Sequence, residues 1–197
     1  MNWRTACLTL ALAAVTVMPS AAQSPWRAKL KQQMPLLGHR NWIVIADSAY
    51  PWQTSPGIET VVTDADQTEV VQAVLDAVGK SIHVRPTIFM DAELPFVPEA
   101  EAKGVTAYRA EVKKALGSRP VESLPHEQII GKLDEAGKAF HVLLLKTKMT
   151  LPYTSVFIQL RAGYWNDESE QKLRDAIKAA APPQASVPSN KRATAVR

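Results

Sequence analysis

Leu37-Gly38-His39-Arg40-Asn41-Trp42-Ile43-Val44-Ile45-Ala46-Asp47-Ser48-Ala49-Tyr50-Pro51 places an unbroken apolar run between a glycine and a turn pair. Trp42 to Ala46, with its β-branched members and its Asp47-Ser48 and Pro51 boundary, describes a buried β-strand. A histidine enters that strand and an aspartate leaves it. His39 and Asp47 stand about 25 Å apart along the chain when fully extended at about 3.3 Å per residue, so they meet only if the backbone folds back. Gly38 is where such a bend costs least, because glycine accepts φ values that other residues resist. Two readings are open: a catalytic His-Asp pair, or a histidine capping the strand edge with an aspartate capping the following turn.

Upstream of the strand, Arg4, the apolar run from Thr5 to Met18 and the small residues Pro19-Ser20-Ala21-Ala22 have the form of an export signal over 1–22, with a mature chain from Gln23. The run is short for a transmembrane span of about 20 residues, and no later segment approaches that length. The expected product is soluble and exported, periplasmic or secreted, with no membrane attachment after signal removal. Cys7, the only cysteine, falls inside the signal, so a mature chain without disulfide or thiolate chemistry is expected. The formal net charge of +4 also resides outside the body. Without Arg4 and the tail residues Lys191, Arg192 and Arg197, basic and acidic residues are equal in number. A neutral body offers no basic stripe for a phosphate backbone, so nucleic acid is not an expected partner.

Downstream, helix and strand signals alternate, which argues for layered α/β architecture in one domain over 23–180. Helices are expected at Trp26 to Met34, from the Asp66-Gln67-Thr68-Glu69 capping box to Gly79, at Val105 to Leu116, from Pro125 as a first-turn residue through Leu133, and from the Asp167-Glu168-Ser169-Glu170 capping box to about Ala180. Strands are expected at Ile58 to Thr63, His83 to Met90, Val121 to Leu124, Val142 to Leu145 and Thr154 to Leu160. Pro86 marks the third strand as an edge or bulged strand. From Ala181 the composition of proline, serine, alanine and isolated bases describes a disordered tail over 181–197.

Whole classes of chemistry are absent: no phosphate-cradling glycine loop, nucleophile elbow, Cys-x-x-Cys or His-Glu-x-x-His is present. His126-Glu127-Gln128-Ile129-Ile130 has isoleucine where a second metal ligand would stand. Polar residues at the ends of apolar elements remain, where α/β domains place their sites. They are His39 with Asp47; His126 in a helix's first turn, able to serve as base or hydrogen-bond donor; and Tyr153 with Ser155, in a loop that enters a late strand and could donate to or stack against a sugar ring. Arg85 with Asp91 and Glu93 offers a carboxylate pair as a fourth candidate, against the reading of a charged strand end as a solvated rim or an ion pair.

In order, Leu37-Gly38-His39, Ala46-Asp47 followed by Pro51, His126-Glu127 at a helix start, and Pro152-Tyr153 before a late apolar strand resemble the D-ribose pyranase and L-fucose mutarotase family, from about Leu36 to Leu160. The resemblance implies an RbsD-like three-layer α/β/α domain with a mixed, mainly parallel sheet. It also implies homo-oligomeric rings, pentameric or decameric, with sites between subunits, and cofactor-free, metal-free interconversion of monosaccharide anomers or ring forms. On it, His39 is the catalytic histidine, Asp47 its orienting aspartate, and His126 and Tyr153 bind the sugar. Arg40-Asn41 replaces a Gly-Asp-like pair, Ser155 an asparagine and Lys148-Met149 a Gly-Glu pair. Arg40 beside His39 suggests an acidic sugar or sugar phosphate. The alternatives are a non-catalytic carbohydrate-binding or sensing module of the cell envelope, and a structural oligomer.

Overall fold

Apolar continuity decides where the central strands lie. In the computed structural model, which describes residues 24–180, Trp42–Ala46 forms β1 with all five residues buried. The expected signal over 1–22 and tail over 181–197 lie outside the described residues. The remaining elements are α1 (Pro25–Gln33), β2 (Ile58–Val62), α2 (Gln67–Gly79), β3 (Val84–Asp91), a single 3-10 turn (Leu94–Phe96), α3 (Val105–Leu116), β4 (Val121–Leu124), α4 (His126–Ala139), β5 (Val142–Lys146), β6 (Val156–Ala162) and α5 (Asp167–Ala180).

The six strands form one sheet in the order β2-β5-β1-β6-β3-β4. β1 runs parallel to β5, β5 to β2 and β3 to β4, while β6 runs antiparallel to both of its neighbours, β1 and β3. Five strands therefore share one direction and β6 alone opposes them, a mixed, mainly parallel sheet. The carboxyl ends of β1 to β5 and the amino end of β6 lie along one edge.

Alternation along the strands sends side chains to two layers. Ile43, Ile45, Leu143, Leu145 and Ile158 join the core made with α1, α2 and α3. Val44, Leu144 and Phe157 join the one made with Ile129 and Leu133 of α4. Fully burying such a side chain is worth about 1.5–3 kcal/mol, so the two layers hold the sheet from both sides. α4 is also fixed at its far end: a Cβ on Gly57 would lie 2.3 Å from the Phe140 carbonyl oxygen and 2.4 Å from that of Gly137. Only glycine permits that approach.

Several local expectations change. β3 is internal, and Pro86 is tolerated because β4 pairs only from Ile88 onward, leaving the Pro86 segment bonded to β6 alone. Pro125 is the residue before α4 rather than its first member. Neither half of the box on α2 forms: Asp66 makes no side-chain cap and lies 3.5 Å from Lys148 Nζ, while Glu69 pairs with Arg27 at 2.9 Å. On α5 the cap is Asn166, whose Oδ1 accepts from the Ser169 amide at 2.8 Å, not Asp167. No residue of α5 is buried. No described helix is long and apolar enough to cross a membrane.

Candidate active site

β3 ends as β1 does, with an aspartate leaving an apolar run: Ile88-Phe89-Met90-Asp91 parallels Val44-Ile45-Ala46-Asp47. Both carboxylates thus reach the same edge of the sheet. Asp91 is buried at 2 % exposure, and its Oδ1 lies 3.1 Å from Nδ1 of His126, the first residue of α4. An ionised carboxylate only accepts, so Nδ1–H donates and the imidazole keeps Nε2 free for proton transfer. Glu93 holds the same helix start by accepting the His126 amide with both carboxylate oxygens, at 3.0 and 3.1 Å. His126 therefore bonds to β3 and the turn after it rather than to its own backbone.

Tyr153 stands edge-on to His126, ring centroids 5.6 Å apart at 84°, and adopts a φ of +56° unusual for a bulky side chain. Two residues on, the Ser155 hydroxyl donates to Asp47 Oδ2 at 3.4 Å, while Asp47 Oδ1 accepts the Ala49 amide at 2.8 Å. The turn-capping reading of Asp47 is thus correct, and one carboxylate oxygen still faces the cluster. Beneath it, buried Gln67 donates to the carbonyls of Ile45 and Thr154, at 3.2 and 2.8 Å, and accepts from Thr147 Oγ1, tying β1, β5 and the entry to β6 together.

Burial pushes the Asp91 carboxyl above the usual carboxylate range; the hydrogen bond from His126 pulls it back, and Glu93 and Asp47 push it further up. Its Oδ2 and the Tyr50 hydroxyl are buried without partners. Burial first, and then Asp134, Asp91 and Asp47, drive the Tyr50 hydroxyl strongly upward, so Tyr50 stays a neutral donor beside the two carboxylates. Between Glu93, Phe96, Val97, Pro98, Pro152 and Tyr153 opens a cavity of about 530 Å³. The edge thus assembles an oriented imidazole, two carboxylates, a hydroxyl and an aromatic wall beside a concavity.

His39 and Arg40 are not part of it. The five residues of β1, about 16 Å at the usual rise, separate His39 from Asp47. β1 is paired on both flanks, to β5 and β6, and does not fold back. The expected intrachain His39–Asp47 pair is therefore not formed. The bend also falls elsewhere than Gly38. Residues Gly38 to Asn41 make a turn closed by the Asn41 amide on the Gly38 carbonyl at 3.2 Å, with the positive φ, +74°, at Arg40. His39 projects from its exposed tip at the amino edge. Arg40 stacks its guanidinium 5.6 Å from the Phe140 ring, also away from His126.

Gln67 is the site residue that sequence reading missed, and Asp91 and Glu93 are the ones it weighed as a carboxylate pair and set aside. For Asp91 the signal was present, since it leaves its strand as Asp47 does, but proximity to Arg85 suggested a surface ion pair. Arg85 sits near the other end of β3 and pairs with Asp167 at 3.0 Å. No group of three or more His, Cys, Asp or Glu among the described residues is arranged to hold a metal ion.

The sequence profile of the RbsD / FucU transport protein family matches residues 27–163, which contain both sheet edges and stop short of α5. No curated protein matches the chain. Among solved structures, RbsD of Bacillus subtilis complexed with D-ribose is similar at 16 % identity and a TM-score of 0.49, over 68 % of this chain and 92 % of that one. The fucose mutarotase of Streptococcus pneumoniae in complex with L-fucose is similar at 17 % identity and a TM-score of 0.46, over 75 % of this chain and 98 % of that one. FucU of Bifidobacterium longum is similar at 17 % identity and a TM-score of 0.46, over 68 % and 94 %.

Proposed function

The chain belongs to the RbsD / FucU transport protein family, and on that premise we propose that it is an isomerase, a monosaccharide mutarotase or pyranase working by acid-base ring opening. The observation that carries this reading is the Asp91–His126 pair opening onto Tyr153, with Asp47 and Ser155 alongside. Opening a cyclic hemiacetal requires a base to take the anomeric hydroxyl proton and an acid to protonate the ring oxygen; reclosure reverses both transfers. His126 Nε2, oriented from behind by Asp91, is one proton-transfer group. Asp47 and Ser155 hold sugar hydroxyls, and the Tyr153 ring lines the wall. Positioned groups of this kind contribute about 10² to 10⁴-fold.

The second proton-transfer group is His39 of the partner subunit. Within one copy His39 lies at the far edge of the sheet, exposed on a turn with an internally strained residue, a placement that does nothing for its own carboxyl-edge cluster. A homo-oligomer that sets the amino edge of one copy against the carboxyl edge of the next completes the set. The protein is exported on this reading, supported by the leader-like run over 1–22, and its mature form begins at Gln23; the mass of the secreted or periplasmic product checks that.

Magnetisation-exchange NMR tests the activity: anomer exchange of ribose, fucose, galactose or a uronic acid accelerates with the protein and not with His126→Ala. Ligand line broadening without exchange would replace the isomerase with a sugar-binding module. Mixing His39→Ala with His126→Ala subunits before assembly tests the shared site. Random mixing restores activity to about a quarter of the sites, whereas sites contained in single copies stay silent.

A further inference from the structure

The amino edge carries more positive charge than a histidine needs. Arg85 and Arg161 are direct cross-strand partners in the antiparallel β3–β6 pair, so their side chains emerge on the same face. Like charges in that position are destabilising. They share a cavity of about 390 Å³ with His39 and Arg40. What offsets the repulsion is one carboxylate: Asp167 Oδ1 lies 3.0 Å from Arg85 Nη2 and 2.6 Å from Arg161 Nη2. Asp167 comes from the first turn of α5, beyond the family match, and its side chain is 67 % exposed. Exposed pairs of this kind hold weakly. Glu170, the other acid on the cavity, is engaged by Arg174 at 2.6 Å and by Trp165 at 2.7 Å. Arg40 has no carboxylate within 4.0 Å among the described residues.

Arg40 occupies this position at a cost. Its φ of +74° lies in the region where glycine is free and a side chain carrying Cβ is strained. Strain of this sort persists where the surroundings make use of it. Here it sets Arg40 beside His39 on a cavity shared with two more arginines, which one exposed carboxylate neutralises.

We propose that this amino-edge cavity is an anion-binding site and that the sugar processed by this protein carries an anionic group, a carboxylate or a phosphate, held by Arg40, Arg85 and Arg161. The inference rests on the reading that His39 serves the sugar site, since the same cavity then presents its arginines to the substrate that His39 reaches. Planar guanidinium forks suit either anion, donating to two of its oxygens at once. Asp167 is the resident competitor, occupying Arg85 and Arg161 until the substrate's anion displaces it.

The experiment is a pair of titrations on the full chain, calorimetric binding and exchange NMR, with galactose, galacturonate and galactose 6-phosphate. The anionic sugars bind at least about tenfold more tightly than galactose, the scale of a charge-assisted contact. Arg85→Gln with Arg161→Gln removes the preference while leaving galactose binding in place. Asp167→Asn, which empties the competitor, tightens the anionic sugar by about twofold to fivefold; a purely structural Asp167 would give no gain. The stronger of the two acidic sugars identifies the anion. Equal affinities for all three sugars, or no response to Asp167→Asn in a variant whose circular dichroism matches the parent, would overturn the inference while leaving the isomerase reading intact. Selective binding of anionic sugars without exchange would do the reverse.

Discussion

The two edges of this sheet are built on opposite physical terms. At the carboxyl edge, buried and half-buried polar groups orient one another: Asp91 holds His126, Glu93 holds the α4 amide, and Ser155 reaches Asp47. At the amino edge, cationic groups stand in solvent on a turn and at strand ends, balanced by a borrowed carboxylate from α5. One edge has precision without a complement of charge; the other has charge and a second histidine without an orienting frame. On the proposed isomerase reading neither is sufficient alone, and the sheet that separates them within a copy is why that reading calls for two copies.

The sharpest way to break this contrast is to remove the imidazole from each edge in turn. His126→Ala and His39→Ala each lower anomer exchange by about 10² to 10⁴-fold, His39→Ala at unchanged thermal midpoint and His126→Ala at a lowered one, because it strips buried Asp91 of its hydrogen-bond donor. A loss confined to His126→Ala would leave the amino edge without a role in turnover. Next in size is Asp91→Asn, which keeps the shape and the acceptor for His126 Nδ1–H but discards the buried charge. Burial raises the Asp91 carboxyl in the folded state, so its contribution to stability is present in full below the ordinary carboxylate range and is lost as pH rises through the raised folded value. Relative to the parent, Asp91→Asn is therefore neutral near pH 3 and more stable near pH 7, while exchange falls about tenfold. Urea titrations at the two pH values, run beside exchange assays, check both signs. Smallest is Arg40→Gly, which relieves the strained φ at the amino edge and raises stability by about 0.5–1 kcal/mol, while weakening binding of an anionic sugar. A urea midpoint that falls would mean that the Phe140 contact outweighs the strain.

Most of the fold was legible because periodicity and punctuation agree. Trp42 to Ala46, Val105 to Leu116 before Gly117, and Val121 to Leu124 coincide with β1, α3 and β4. Cap chemistry was less legible, since Asp66 and Asp167 meet the sequence pattern but have other business: Lys148 approaches the first at 3.5 Å, and two arginines hold the second. The carboxyl-edge site was half legible. Asp47, His126, Tyr153 and Ser155 are brought to one edge as the motif order suggested, while Asp91 was discounted and His39 was paired with the wrong end of its own strand. Sequence neighbours across a strand are distant in space, and residues distant in sequence, such as Asp91 and His126, are brought together by the crossover. No local pattern encodes that reversal, because it depends on the order in which the strands enter the sheet.

That order also sets a timetable for synthesis. Among the described residues β1 pairs only with β5 and β6, β2 only with β5, and β3 only with β4 and β6. Until residue 142 has been made, β3 with β4 is the sole pairing open to the growing chain, and the most buried strand of the protein waits without neighbours for about a hundred residues. Such dominance of distant pairings makes folding slow and effectively post-translational. A ribosome-stalled chain ending at residue 140 should therefore be digested throughout its first half, while one that exposes residues through 162 becomes protease-resistant in a single step.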